Sequence, residues 1–244
     1  MDALLTEALA AHGGLDRWSR ITRIEAEMTF GGPFWKVKGQ PDLLASQTIE
    51  AEARVQHIAM TPLGSDFERS CVFQNVSGTE QISIREGEDE IVAVRDDPRL
   101  SFTGHDSSTQ WDELQTAYFA CYASWLYLTE PFVLTYAGIS AHEIEPWHER
   151  DQVWRRLQVT FPPTIASHSP VQTYYFDRAG RQRRLDYEPI VDGSAKVAHY
   201  TDQHEVFNGF VTPTRHRVYR RQSDGSPDMS GLLITLDLTD LSLS

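Results

Sequence analysis

Hydrophobic and polar positions alternate with period two through most of this 244-residue chain. In 23–30, Ile24, Ala26, Met28 and Phe30 fall on one face, and Arg23, Glu25, Glu27 and Thr29 on the other. That is the signature of a half-buried strand. The same reading gives strands at 34–39, 43–53, 55–60, 66–76, 80–86 and 90–95, bounded by Gly, Pro, Asn or Asp. Alternation resumes at 132–136, 139–145, 153–161, 171–177, 181–189, 196–207, 211–220 and 232–241. Two connections read as hairpins. Arg178-Ala179-Gly180 joins TYYFD to RQRRLDY, and Asn208-Gly209 supplies the second tight turn.

Two segments depart from the period. In 2–11, Leu4, Leu5, Ala8 and Leu9 make a helical stripe that Gly13-Gly14 stops. In 110–129, Trp111, Leu114, Tyr118, Cys121, Tyr122, Trp125 and Leu128 recur at three- and four-residue steps. This predicts one aromatic amphipathic helix, capped by Thr109 or Ser108, with Asp112 and Glu113 in its first turn and Pro131 ending it. Many strands with few helices imply a mainly β fold, a curved antiparallel sheet or open half-barrel. No linker or fixed-period repeat interrupts the chain, so 1–244 reads as one domain. The concave face of such a sheet needs a plug, and the 110–129 helix is the one available. Space left between plug and sheet is a ligand pocket.

Composition narrows the function. Hydrophobic residues make up 40% and charged residues 23%, as in ordinary globular proteins. The net charge of −13 repels phosphate backbones and anionic headgroups, which excludes nucleic acid as a partner. No stretch approaches ~18 apolar residues, so no integral membrane segment is expected. The N-terminus MDALLTEALAAHGG lacks a basic n-region, which points to a cytoplasmic location, or to a periplasmic one if a leader was removed. Cys71 and Cys121 form no CxxC pair, and no HExxH or GxSxG occurs. Free buried thiols, no metal and no cofactor are the expectation.

AHGGLDRWSRI, YYFDRAGRQRRLDY and HYTDQHEVFNGFVTPTR, in that order, resemble segments of the LolA-like lipoprotein-carrier superfold. The resemblance implies a helix start, a curved sheet and a plugging helix around a hydrophobic cavity. It also implies a hydrophobic or amphipathic small molecule as the partner.

Candidate site residues fall into two sets. Trp111, Tyr118, Tyr122 and Trp125 line the predicted helix, and several Tyr and Trp together suit a wall that meets an amphipathic ligand. Arg184 and Asp186 share one strand face. His199 and Thr201 share a face of the next strand, while Tyr200, Asp202 and His204 take the opposite one; Arg215 and Arg217 oppose His216. Arg184, Arg215 or Arg217 would hold a carboxylate at the polar end of the pocket. The first functional reading is binding of a lipid-like molecule between the concave face and the helix. The alternative is a cofactor-independent cyclase, isomerase or lyase using His199, His204, His168 and Asp186 for proton transfer. Alternation defines two faces without saying which is inside.

Overall fold

The computed structural model describes residues 1–244 except 66, 88 and 89, so Asp66, at the start of the expected 66–76 strand, lies outside the described residues. Helix α1 (Ala3–Ala11) is capped by Asp2, whose carboxylate accepts from the Leu4 backbone N–H at 2.8 Å. It buries Leu4, Leu5, Ala8 and Leu9, the stripe read from the sequence. The one-turn α2 (Leu15–Trp18) then leads into β1 (Arg23–Gly31), where every second residue from Ile24 to Phe30 is buried.

Thirteen strands form one antiparallel sheet. After β1 and the one-turn α3 (Phe34–Val37) come β2 (Ser46–Glu52), β3 (Gln56–Thr61), β4 (Arg69–Val76), β5 (Thr79–Glu86) and β6 (Glu90–Asp96). Helix α4 (Glu113–Thr129) follows, then β7 (Ser140–Glu149), β8 (Gln152–Thr160), β9 (Val171–Phe176) and β10 (Gln182–Tyr187). The last three are β11 (Val197–Phe207), β12 (Phe210–Arg221) and β13 (Pro227–Leu243). The spatial order is β6-β5-β4-β3-β2-β1-β13-β12-β11-β10-β9-β8-β7. Each half of the chain is a meander, and β1 pairs with β13 to join them, Ile24 opposite Leu243 and Phe30 opposite Leu236. The edges are β6 and β7, so the sheet stays open. The chain passes from one edge to the other through the segment that carries α4, and this lays α4 across the concave face. Its rings reach both halves: Tyr118 meets Phe73 of β4 at 5.4 Å, and Tyr127 meets His199 of β11 at 4.8 Å.

Two expected strands are turns instead. At 34–39 the chain forms α3, and successive Phe34 and Trp35 are both buried, which a strand with its two faces does not allow. Gly32, at φ +97°, presses so closely on β13 that a Cβ there would lie 2.4 Å from the Leu233 carbonyl oxygen. At 132–136, Phe132–Thr135 is a 3₁₀ turn with Phe132, Val133 and Leu134 buried in succession. In both, consecutive apolar residues are buried together, which marks a turn packed into the core rather than a strand.

The central helix also differs from expectation in two respects. It starts later, with a capping box in place of Thr109 or Ser108: Asp112 Oδ1 accepts from the Gln115 N–H at 2.8 Å, and Gln115 Oε1 accepts from the Asp112 N–H at 3.0 Å. Ser108 and Thr109 bind the Asp106 carboxylate instead. And α4 is not amphipathic in its setting, because every residue from Gln115 to Thr129 is buried. The loops between β6 and α4 and between β8 and β9 cover the side that the sheet does not: Phe102 packs on Trp111 and Tyr118, and His168 on Phe119 and Tyr122. Lys38 pins this cover. Its fully buried ammonium lies 2.5 Å from Asp192 and donates to the Ser107 carbonyl at 3.1 Å.

Candidate functional site

Between α4 and the concave face six side chains form a buried hydrogen-bonded chain. Tyr122 and Tyr127 come from α4, His168 from the β8–β9 loop, Tyr187 from the end of β10, His199 from β11 and His216 from β12. The contacts are Tyr122–His168 Nδ1 at 3.2 Å, His168 Nε2–Tyr127 at 2.8 Å, Tyr127–Tyr187 at 3.2 Å, Tyr187–His199 Nδ1 at 3.5 Å and His199 Nε2–His216 Nδ1 at 2.9 Å. His216 Nε2 lies 3.3 Å from the Pro213 carbonyl oxygen. Strand period two explains the convergence: Leu185 pairs with His199, and Tyr187 points the same way two residues on.

That last contact fixes the direction of all the others. A carbonyl only accepts, so His216 Nε2 carries the proton, and a neutral ring then leaves Nδ1 as an acceptor. His199 Nε2–H must donate to it, and Tyr187 O–H must donate to His199 Nδ1. Tyr127 O–H donates to Tyr187, His168 Nε2–H to Tyr127, and Tyr122 O–H to His168 Nδ1. Each link satisfies the next, and the donors run one way from Tyr122 to Pro213.

Burial keeps these rings neutral. It lowers His168 to about 3, with repulsion from Arg99 adding to the effect, and lowers His216 to about 4. His199 is held well below its usual value by burial and by the neighbouring His216 and His168. The same desolvation raises the phenols of Tyr122, Tyr127 and Tyr187. Beside the chain lies a buried acid. Glu130, at the C-cap of α4, is pushed up to about 7 by burial, although Gln182 Nε2 donates to it at 2.8 Å and Tyr174 at 2.9 Å.

Two spaces border this network. One is a void of about 20 Å³ at the seam between α4 and the β12–β13–β1 part of the sheet. There α4 presents small Ala120, Ala123 and Ser124 toward Phe30, Val218, Ile234 and Leu236, with Trp35 of α3, Tyr127, His199 and His216 completing the walls. The Ser124 hydroxyl is fully buried and has no hydrogen-bond partner. The other is a groove of about 420 Å³ at the rim, lined by Leu100, Phe161, Pro162, Ile165 and Ile190 with Arg99 and Glu80. Arg99 donates to the Ser167 carbonyl at 3.0 Å and lies over the Tyr118 and Tyr122 rings, while Tyr118 donates to Glu80 at 2.6 Å.

The sequence-predicted residues separate into inside and outside. Trp111, Tyr118, Tyr122 and Trp125 are all buried. Only Tyr122 belongs to the chain; Trp125 Nε1 donates to the Glu52 carbonyl, and Trp111 packs edge-on to Phe34 and Phe102 and tilted against Phe119. His168 and His199 are in the chain. His204 is not: Gln203 takes a left-handed φ of 53°, which interrupts the pleat, and His204 lies 6.0 Å from His12, ring to ring.

Arg184, Asp186, Arg215 and Arg217 sit on the outer face, away from α4, because the inward parity on these strands belongs to Leu185, Tyr187, His199 and His216. Arg184 pairs with Asp186 at 2.6 Å inside a box of Trp147, Tyr175 and Tyr200 rings, 4.8–5.3 Å from its guanidinium. Arg215 pairs with Asp202, and Arg217 with Asp237. Sequence reasoning missed Tyr187, Glu130 and Ser124, and left His216 and Tyr127 unassigned. For Tyr187 and His216 the signal was present, since both alternate with the charged positions.

Among the described residues no helix is long and apolar enough to cross a membrane, and no three His, Cys, Asp or Glu side chains gather as metal ligands. Cys71 and Cys121 are free and buried, their sulfurs 3.7 Å apart across the α4–β4 contact.

No protein-family model matches the chain, and no curated protein matches it in sequence. Solved structures do match in shape. A DUF1329 family protein from Desulfovibrio piger aligns over 99% of this chain and 92% of its own, with TM-score 0.56 and 12% identity. An outer membrane lipoprotein-sorting protein domain from Vibrio parahaemolyticus aligns over 99% and 91%, with TM-score 0.56 and 10% identity. A LolA superfamily protein from Nitrosomonas europaea aligns over 99% and 92%, with TM-score 0.46 and 9% identity. At these identities the likeness is one of fold.

Proposed function

From a LolA-like fold, an open curved sheet with a helix laid across its concave face, we propose that this chain binds a hydrophobic or amphipathic small molecule between α4 and the sheet. The seam carries this reading. Along it, Ala120, Ala123 and Ser124 of α4 face the aliphatic side chains of β12 and β13, under the one-turn α3. Small side chains opposite flat aliphatic walls leave a surface that can part without exposing charge, and the walls it exposes are apolar. A void of about 20 Å³ holds little more than one water, so ligand entry requires α3 or α4 to shift. The Vibrio domain is described as sorting outer membrane lipoproteins. That supports a lipid-like ligand and an envelope role for this chain, in place of the cytoplasmic location suggested by its N-terminus.

The test is native mass spectrometry of the purified protein, followed by titration with a long-chain amphiphile. Ala123→Leu, which fills the seam, is expected to weaken binding at least tenfold; Leu100→Asp, in the rim groove, leaves it unchanged. The reverse result places the ligand at the rim.

One observation favours a second reading, a cofactor-independent enzyme acting on a hydrophobic metabolite. The one-way Tyr–His chain holds ring nitrogens and hydroxyls in line for proton transfer, and His199 and His216 border the seam. On that reading His199→Gln abolishes turnover of a bound substrate. If the bound molecule is recovered unchanged from the parent protein, this second reading is discarded.

A further inference from the structure

A ligand lodged at the seam meets an unusual polar inventory. No Lys, Arg, Asp or Glu lines the void. The ring nitrogens of His199 and His216 are both engaged, and the Tyr127 proton is committed to Tyr187. What remains free is one donor, the Ser124 hydroxyl, and one acceptor site, the second lone pair of the Tyr127 oxygen. A buried hydroxyl without a partner is costly, and here it borders a gap between α4 and the β12–β13 wall. We infer that this gap is the seat of the ligand's polar end, and that this end is uncharged, an alcohol, ketone or ester group rather than a carboxylate or phosphate. The inference rests on the carrier reading and specifies its ligand class.

The physical ground is desolvation. An ionised head at this position would lose its water and find neither a cation nor a set of donors, a penalty that no neighbour offsets. A carbonyl oxygen needs one donor, which Ser124 supplies. An alcohol donates to Tyr127 and accepts from Ser124. The alkyl part then lies along Val218, Ile234 and Leu236 once Phe34 and Trp35 of α3 give way. Arg99 does not alter this conclusion, because it lies on the rim groove beyond Tyr122 and shares that groove with Glu80.

The experiment is equilibrium dialysis of the full chain at pH 8 with radiolabelled decanol, methyl decanoate and decanoate. Decanol and the ester should bind at least tenfold tighter than decanoate. Ser124→Ala should fold normally, since it removes an unsatisfied hydroxyl, and should cut that preference severalfold while leaving affinity for the chain itself. Ala123→Leu should weaken all three. If decanoate binds as tightly as decanol, or Ser124→Ala keeps the full preference, the head-group assignment fails and the carrier reading stands. If none of the three binds the parent protein, the carrier reading fails and takes this assignment with it.

Discussion

The two faces of strands β10–β12 carry polar networks of similar size and opposite character. Inside, Tyr187, His199 and His216 are neutral, fully buried and joined by hydrogen bonds in one direction. Outside, Arg184 and Asp186 form an ion pair, boxed by Trp147, Tyr175 and Tyr200, and flanked by the Arg215–Asp202 and Arg217–Asp237 pairs. Neighbouring residues on one strand, His199 and Tyr200 or Arg184 and Leu185, belong to different networks. The difference teaches how depth selects chemistry. Under α4, away from solvent, a polar group is stable when it is neutral and hydrogen-bonded. On the outer face, aromatic faces and carboxylates surround an arginine and hold its charge.

Acid should break the inner network first, and by the largest amount. The folded-state values of His168 and His216 are lowered to about 3 and 4, that of His199 is held well below its usual value by burial, and His12, outside the network, is lowered to about 4. Their contribution is therefore present above about pH 6.5 and is lost as pH falls from there toward the folded values. Each group costs on the order of 1 kcal/mol per pH unit in that window. Denaturant unfolding at pH 7.5, 6 and 5 should show a steep loss, several kcal/mol in total. A stability constant across that range would mean that the histidines are not buried neutral.

Removing the outer arginine comes next. Arg184→Ala leaves Asp186 with only Arg221, at 3.5 Å, and the Tyr175 hydroxyl, at 2.8 Å, and unfolding free energy should fall by about 3 kcal/mol. A loss below about 1 kcal/mol would reduce the outer cluster to solvated surface pairs. In the inner chain, His199→Leu strands the Tyr187 donor and the His216 acceptor together, for about 2–3 kcal/mol. Tyr122→Phe removes only the first donor and should cost about 1 kcal/mol. Equal losses for the two would contradict a chain in which His199 is an interior link and Tyr122 an end. Glu130→Gln has the opposite sign. The Glu130 carboxyl, raised to about 7, contributes stability below about pH 4.5 that is lost as pH rises through 7. The Gln variant should flatten that slope and gain relative stability at pH 8, as measured by paired melts.

Period-two alternation located each strand of the sheet, though not its ends, as at β7 (Ser140–Glu149 against 139–145) and β13 (Pro227–Leu243 against 232–241), and the three-and-four spacing from Trp111 to Leu128 located α4. These patterns are local consequences of burial, so they are readable in order along the chain. The two apolar runs at Phe34–Trp35 and Phe132–Leu134 were misread as strands because full burial erases periodicity. The site was harder. Alternation separated Arg184 and Asp186 from Leu185 and Tyr187, but which set faced α4 depends on the direction of sheet curvature, and no single strand encodes that. Charge drew attention to the outer set. Glu130 and Ser124 were invisible for a different reason: one sits at a helix end and the other on a helical turn, and each acquires its meaning only from residues 44 or more positions away, as Tyr174 does for Glu130.

The most direct test is the protonation of the three inner rings. Long-range ¹H–¹⁵N correlation spectra of histidine-labelled protein at pH 7.5 report which ring nitrogen carries the proton. A chain anchored on the Pro213 carbonyl requires His168, His199 and His216 all to be neutral and protonated at Nε2. A doubly protonated ring, or a proton on Nδ1 of any of the three, would contradict the one-way neutral network on which the interior depends.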